Sequence, residues 1–368
     1  MTATATVTVT AAARADVAVL VGRFQPCHAA HLALLRHALA AAPRCIVVIG
    51  SAHQARSPKN PFTWTERAEM LRLALPEGER ERVRFLPVRD YYDEARWVAA
   101  VRAGVDAELF AQSLPPTASV VLVGHFKDAT SGYLRAFPGW RLESVPRLGD
   151  AGGTHLRDAL FASVPEDAHA PDALEPALAS LVDQVPPSTI AFLRAWARLP
   201  FLAELAAEWR MLRAYREAWR AAPYPPVFVT VDAVVRCDGH VLLIRRGKAP
   251  GRGLLAVPGG FIELRETCWQ SCLRELEEET HLVLLEESWK AALREVAVFD
   301  HPDRSQRGRT ITHAHYFDLG ERDLPEARAD DDAAAVEWVP IGELPALEDQ
   351  FHDDHFHMLD HFLGLTTG

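Results

Sequence analysis

The stretch Val17-Ala18-Val19-Leu20-Val21-Gly22-Arg23-Phe24-Gln25-Pro26-Cys27-His28-Ala29-Ala30-His31 decides how the first half of the chain folds. Five apolar, mostly β-branched residues run into a glycine, and a helical pattern begins near His28, so the segment reads as a strand turning into a helix. Gly22 lets the main chain approach a ligand closely, and the N–H groups opening the helix favour an anion. His28 and His31 are three apart and share one helix face. Two imidazoles there can donate hydrogen bonds to phosphoryl oxygens as charge develops, without acting as nucleophiles. Two histidines in a first helical turn can equally be capping or surface residues. The strand, the glycine turn and the Phe24-Gln25-Pro26 run favour the phosphate site.

Outward from this segment, short β-branched runs at 17–21, 45–50, 83–88 and 119–124 alternate with helical stretches at 30–42, 65–75 and 95–113. That alternation predicts βαβ units and a parallel sheet, an α/β fold of the Rossmann-like kind. The strand ends carry Gly22, Gly50-Ser51 and Gly124-His125. Ligands in open parallel sheets bind beyond the carboxyl ends of the strands, so these turns should line one cleft. The Thr/Ala-rich residues 1–16 lack a basic start and a long apolar run, and are expected to form a flexible tail. A length of 368 residues predicts two domains. The first is placed at 17–185, a helical connector at 186–223 closing at Pro223-Tyr224-Pro225-Pro226, and a second domain at 224–368, whose strands and turns predict a mixed sheet with helices packed on it.

The second domain carries Gly260-x5-Glu266-x7-Arg274-Glu275-Leu276-x-Glu278-Glu279-x-His281-Leu282. Glu275, Glu278 and Glu279 fall at i, i+3 and i+4, which puts three carboxylates on one helix face. An acidic solvated face is the ordinary meaning of such a run. Carboxylates this close also make an oxygen-donor site for Mg²⁺ or Mn²⁺. Arg274 and Glu266 can hold the helix against its preceding loop, and Val257-Pro258-Gly259-Gly260 reads as a tight turn.

Half the residues are apolar and a quarter are charged, enough for ordinary cores in both domains. A net charge of −11 without a basic cluster argues against a nucleic-acid partner. No apolar segment has membrane length. Five cysteines (27, 45, 237, 268, 272) without Cys-x-x-Cys spacing favour neither a disulfide framework nor a zinc site, which fits a reducing cytoplasm. A homo-oligomer stays open.

The first motif resembles the His-x-x-His nucleotidyltransferases, and within them the nicotinamide-mononucleotide adenylyltransferases, whose start reads Gly-Arg-Phe-Gln-Pro-x-His-x-Gly-His. Ala30 stands where the family has Gly. The resemblance runs over residues 17 to 162, through Gly50-Ser51-Ala52, Asn60-Pro61-Phe62-Thr63, Glu66-Arg67, Trp97-Val98, Gly124-His125-Phe126-Lys127-Asp128 and Gly152-Gly153-Thr154-His155-Leu156-Arg157, where Gly152 replaces a Ser. It implies adenylyl transfer from ATP to the mononucleotide with Mg²⁺. His28, His31 and Arg157 would neutralise phosphates, and Gly22, Phe24, Gln25, Trp97, Gly124, Lys127, Asp128 and Thr154 would form the nucleotide pocket. Trp97 would stack on the flat cationic ring or serve as core.

The second motif resembles the Nudix box, with His281 where the box has Gly. Thr230-Val231-Asp232, residues 299 to 309 and Trp338-Val339-Pro340 resemble the ADP-ribose-directed subgroup over about 224 to 357. This implies metal-assisted hydrolysis of ADP-ribose to AMP and ribose 5-phosphate, with Glu275, Glu278 and Glu279 as metal ligands and Glu278 and Glu279 as catalytic candidates. Gly260, Glu266 and Arg274 would be structural. Arg304, Arg307 and Arg309 would pair with phosphate or ribose, or belong to a solvated loop. The whole chain thus resembles bifunctional adenylyltransferase and Nudix fusions. NADH or a modified nucleotide as the Nudix substrate, or a non-catalytic ADP-ribose sensor, are the alternatives.

Overall fold

The structure is a computed structural model that describes residues 14–125, 134–146, 152–165, 174–330 and 332–366. Lys127 and Asp128, expected in the nucleotide pocket, lie outside the described residues.

The first part contains β1 (Val17–Gly22), α1 (Ala29–Ala41), β2 (Arg44–Ile49), α2 (Trp64–Ala74), α3 (Glu77–Arg80), β3 (Val83–Pro87), α4 (Glu94–Ala111), β4 (Val120–Gly124), β5 (Arg141–Ser144) and α5 (Gly153–Ala162). The strands form one parallel sheet in the order β3-β2-β1-β4-β5. The order reverses direction between β1 and β4, so the carboxyl ends of those strands open the crevice where α/β sheets take ligands. β1 is buried because both sheet faces are covered. Ala18 and Leu20 face the core containing Leu35 and Leu71, and Val17 and Val19 face the one containing Val101 and Val105. α2 starts on a capping box in which Thr63 and Glu66 exchange hydrogen bonds.

α6 (Glu175–Leu181), α7 (Pro187–Trp196) and α8 (Phe201–Ala218) follow. Leu178, Ile190, Leu193, Trp196, Leu202 and Leu205 lie in the same buried cluster as Leu35 and Leu71. The segment expected as a connector therefore contributes core to the first domain, because its apolar stripe has a partner there. At the other end Ala15 is buried, and Asp16 exchanges hydrogen bonds with Ser119, so these two residues of the expected tail are tied to the amino end of the sheet.

The second part holds β6 (Val227–Cys237), β7 (His240–Arg246), β8 (Leu255–Ala256), β9 (Gly259–Phe261), α9 (Cys268–Thr280), α10 (Glu286–Ala292), β10 (Leu293–Phe299), β11 (Arg309–Asp318), β12 (Ala333–Pro340), a 3₁₀ segment (Ile341–Gln350) and α11 (His355–Leu363). Its mixed sheet runs β10-β11-β6-β7-β12, with β8 on β7 and β9 on β6. The only parallel pair within it is β11 with β6 among the described residues. Gly259 and Gly260, expected in a tight turn, are instead strand residues paired with Asp232 and Val231. Tertiary pairing with β6 overrides the local Pro-Gly-Gly turn signal. No described helix is long and apolar enough to cross a membrane, and all five cysteines are free thiols.

Arg67 of α2 is buried, and its guanidinium donates to the carbonyl oxygens of Arg23 at 2.8 Å, Gly50 at 2.7 Å and Ser51 at 2.9 Å. It thereby ties together the turns that leave β1 and β2. Replacing it with Met strands three buried carbonyl oxygens, so Arg67→Met should cost about 3 kcal/mol or more. Denaturant unfolding followed through the first domain reads this directly, and an unchanged midpoint would refute the tie.

Candidate active sites

The first site forms where β1 ends. A Cβ on Gly22 would meet the ring of Phe24 at 2.7 Å, so this turn closes only around glycine. Phe24 is buried with φ 55°. Gln25 is buried too, and its amide brackets Phe62, donating to the carbonyl at 2.9 Å and accepting from the N–H at 3.1 Å. His28 is the N-cap of α1, and its ring stacks on that of His31 at 3.6 Å between centroids. Burial, then the charge of His28, holds the His31 imidazole well below its ordinary pKa, so it is neutral at pH 7. The first amide of α1, that of Ala29, donates to Gln184 O at 2.9 Å. An anion would therefore meet the later amides of that turn rather than this one.

α5 brings the second phosphate motif against the first. A Cβ on Gly153 would fall 2.7 Å from Gln25 O. Arg157 donates to that same carbonyl at 2.7 Å and to the Thr154 hydroxyl at 3.1 Å, and burial lowers its pKa to about 10. His28, His31, Gln25, Thr154 and Arg157 thus meet around one loop. Gly152 is the N-cap of α5 and supplies no side-chain cap, as its replacement of Ser implies. Trp97 packs against the core with Val101 and Val105, makes an edge contact with Phe137 at 5.8 Å, and also lines a cavity of about 500 Å³. Sequence reading passed over Asp90 after β3, which accepts from the Ser51 N–H and hydroxyl and from Gln54.

The second site is built on α9, whose N-terminus is closed by a Thr267 and Gln270 capping box. Arg274 organises it, with contacts of 3.0 Å to Glu266 and 2.8 Å to both Glu275 and Glu278, and a hydrogen bond to Phe261 O at 3.1 Å. A Cβ on Gly260 would sit 2.5 Å from the Glu275 carboxyl, and one on Gly259 would sit 2.3 Å from Val231 O. Gly259 is therefore dictated by the approach of β9 to β6, and Gly260 leaves room for the Glu275 carboxyl where it now stands. The buried Glu279 accepts from Gly259 N–H at 2.9 Å, and burial pushes its pKa up to about 8. Among the described residues no three His, Cys, Asp or Glu side chains stand close enough to hold a metal ion as placed. Arg274 lies between Glu275 and Glu278 and draws each toward itself. The donors are nonetheless carboxylate oxygens crowded on one helix face, the chemistry a hard divalent cation takes. His281 ends α9 in the left-handed region at φ 50°, with Nε2 2.8 Å from Asp330 Oδ2.

The three arginines of the 300 to 309 region separate. Arg304 is neither in a solvated loop nor free to swing. It is buried in a two-point ion pair with Asp354, with both contacts at 2.8 Å. The guanidinium of Arg307 lies 5.3 Å over the ring of Phe261, and its Nε is buried without a hydrogen-bond partner. Arg309 donates to Asp300 O. Arg304 and Arg307 border a cleft beside β9 with Asp232, Arg246 and His352. Arg246 and His352 went unread in the sequence; the His352-Asp353-Asp354-His355 run was the available signal.

Fold and sites together define a chain that joins a nucleotidyltransferase unit to a Nudix hydrolase unit. The Cytidylyltransferase-like family profile matches residues 19–120 and the NUDIX domain profile residues 226–362. The chain is 35% identical over 147 residues to the nicotinamide/nicotinic acid mononucleotide adenylyltransferase of Acinetobacter baylyi, covering 40% of this chain and 76% of that protein. It is 35% identical over 119 residues to the ADP-ribose pyrophosphatase of Methanocaldococcus jannaschii, covering 32% of this chain and 65% of that protein. The crystal structure of a bifunctional NMN adenylyltransferase/ADP ribose pyrophosphatase from Francisella tularensis, complexed with AMP and a manganese ion, superposes with a TM-score of 0.83 at 32% identity, over 95% of this chain and 99% of that one. The chain belongs to this bifunctional NMN adenylyltransferase/ADP ribose pyrophosphatase family.

Glu279 carries a proton at neutral pH when no cation is beside it, and a cation has to displace that proton. Divalent-cation affinity should therefore rise by up to about tenfold per pH unit below pH 7 and level off above pH 8. Without metal the sign reverses: the folded state binds more protons than the unfolded one, so this group's contribution to stability declines as pH rises from its unfolded pKa toward 8. Calorimetric Mn²⁺ titration at several pH values checks the first, and a flat profile would remove Glu279 from the ligand set. His281→Gly relieves left-handed strain of about 1 kcal/mol at the expense of an exposed His-Asp contact of at most similar size. A neutral to slightly raised midpoint of thermal unfolding is expected, and a clear loss would mean that the Asp330 contact fixes the helix exit.

Proposed function

We propose that the chain makes NAD and pyrophosphate from nicotinamide mononucleotide and ATP in its first domain, and hydrolyses ADP-ribose to AMP and ribose 5-phosphate in its second. The observation that carries this reading is the presence in one chain of two clusters of phosphate-handling residue types, one around the stacked His28 and His31 with Arg157, the other on α9. We divide the chain as 17–185 and 224–368, with 186–223 packed on the first domain.

In the first reaction the 5′-phosphate oxygen of the mononucleotide forms a bond to the α-phosphorus of ATP while the bond to the β-phosphate oxygen breaks and pyrophosphate departs. Its catalysis is positioning and charge neutralisation. Neutral His31 donates an N–H without adding a proton to be lost, and His28, stacked on it, serves the same phosphates. Arg157 brings the positive charge, oriented by Gln25 O and Thr154. Gly22, Phe24 and Gln25 shape the turn, Gly124 ends the neighbouring strand across the crevice, and Trp97 offers a flat face to the pyridine ring.

In the second reaction Glu275, Glu278 and Glu279 would hold Mg²⁺, with Mn²⁺ as an alternative, once Glu275 and Glu278 turn from Arg274. The cation supplies charge neutralisation on the pyrophosphate and a more acidic water. Arg274 keeps Glu266 and the helix in register, Gly260 permits the close backbone approach, and Arg307, with its buried unpartnered Nε, is the residue best placed to take a substrate oxygen. We place Mg²⁺ at the first site too, where it would join His28, His31 and Arg157 in neutralising the phosphates of ATP. We also place the protein in the cytoplasm, with small nucleotides rather than nucleic acid as its ligands.

Chromatographic product analysis tests both halves. The parent should yield NAD from the first substrate pair and AMP with ribose 5-phosphate from ADP-ribose. Glu278→Gln with Glu279→Gln should abolish only the second, and His28→Ala or Arg157→Ala should lower the first by about two orders of magnitude or more. ADP-ribose that binds tightly to the folded parent and is not cleaved would replace the hydrolase reading with a sensor.

A further inference from the structure

The 500 Å³ cavity lined by Trp97 has walls from both domains. Its floor is the carboxyl edge of the parallel sheet, through Arg23 after β1, Ser51 after β2 and Asp90 after β3. Its other side is the second domain's segment of residues 300 to 307, through His301, Asp303 and Gln306. The volume falls within the range of small-ligand pockets, and the lining sets cations (Arg23, Arg56, Lys59) and flat rings (Trp97, Tyr92) among five carboxylates, Asp90, Glu94, Glu208, Asp303 and Asp353. The cations suit the phosphate of a phosphorylated aromatic nucleoside, the rings its base, and the carboxylates its ribose hydroxyls and a cationic ring.

The segment is fixed to the first domain at several points. Tyr92 stacks on His301 at 4.3 Å between ring centroids. Lys59 N–H donates to the Gln306 side-chain oxygen at 3.1 Å, and Lys59 Nζ lies 3.6 Å from the Asp303 carboxylate and 3.5 Å from its carbonyl oxygen. Arg216 of α8 donates to Gln306 O at 2.8 Å. Lys59 is thus gripped by the hydrolase domain at both its main chain and its ammonium group, while it lines a cavity that opens on the transferase sheet.

We propose that residues 300 to 307 of the second domain complete the mononucleotide pocket of the first, with Asp303 and Gln306 acting as positioning residues that aim Lys59 at the phosphorylated pyridine nucleoside. This rests on the adenylyl-transfer reading above. It makes the hydrolase domain a structural part of the transferase's substrate specificity, a role its own chemistry does not require.

The test is made in the full chain with Asp303→Ala, Gln306→Ala, Lys59→Ala and the Lys59→Ala/Asp303→Ala pair. Each single change should raise the KM for nicotinamide mononucleotide about fivefold, with kcat, the KM for ATP and ADP-ribose hydrolysis all within about twofold of the parent. The pair should be no worse than Lys59→Ala alone, since Asp303 acts through Lys59. Asp303→Glu should restore part of the effect. An unchanged KM for the mononucleotide, or an equal rise in the KM for ATP, overturns the proposal. Calorimetric binding of the mononucleotide, which needs no turnover, separates the two readings. A parent that forms no NAD but binds the mononucleotide more tightly than the variants sinks the transferase reading and keeps the pocket. A parent that forms NAD with variants binding equally well does the reverse.

Discussion

Both sites depend on glycines whose neighbours stand closer than a Cβ allows. Around β1, Gly22 lies against the Phe24 ring and Gly153 against Gln25 O, which lets the helix start bearing Thr154 and Arg157 dock on the histidine loop. Around α9, Gly259 lies against Val231 O and Gly260 against the Glu275 carboxyl. None of these four glycines has the positive φ that would make it a turn residue by conformation. They are required by space, and the space they create is occupied by the groups that face phosphate. At Gly153 and Gly259 a larger residue would have to push apart two stretches of main chain, whereas at Gly22 and Gly260 it would displace the Phe24 ring or the Glu275 carboxyl, so each site rests on one backbone contact and one side chain placed beside a glycine.

Charge is handled in three ways within this frame. Arg67 is buried on carbonyl oxygens alone and works as a bracket. Arg304 is buried on one carboxylate, Asp354, and forms a closed pair. Arg274 is shared among Glu266, Glu275 and Glu278, and Glu279, outside that sharing, is pushed by burial first, and by the charge of Glu275 only second, to hold a proton. A closed pair has little reason to rearrange, whereas a shared cation and a protonated acid can both give way to a divalent ion. The arrangement itself separates Arg67 and Arg304, each held by fixed partners, from Arg274, which holds the helix in register through carboxylates that can also exchange it for another cation.

The first domain was legible because its signals are local. Each strand of the βαβ series is an apolar run with a glycine or turn at its end, and expected and observed bounds for β1 to β4 differ by a residue or so. β5 escaped because Arg141 to Ser144 is half-exposed and has no apolar run. β9 escaped because a Pro-Gly-Gly sequence reads as a turn until its partner β6 is known. The site residues divide along the same line. His28, His31, Glu278 and Glu279 announce themselves by spacing, whereas Arg304 and Arg307, three positions apart in one polar segment, acquire opposite characters from Asp354 and Phe261, residues far off in the chain. α7 and α8 read as helices from their pattern, but nothing in that pattern says which domain their apolar stripe joins.

Arg304, His352 and Asp353 line both the interdomain cavity and the cleft beside β9, so one layer of side chains separates the two pockets. A shared wall can transmit strain or block it, depending on how readily it deforms. Breaking a buried two-point ion pair such as Arg304 with Asp354 costs about 3–5 kcal/mol, more than the roughly 1–3 kcal/mol that couples most pairs of ligand sites. The wall is held further by Val257 N–H donating to His355 Nδ1 at 3.1 Å and by His352 N–H donating to Leu255 O at 2.8 Å. A ligand on either side would therefore find the partition already set. On this argument the domains are joined by a stiff common wall that shapes each pocket and leaves the occupancy of one without effect on the other through Arg304.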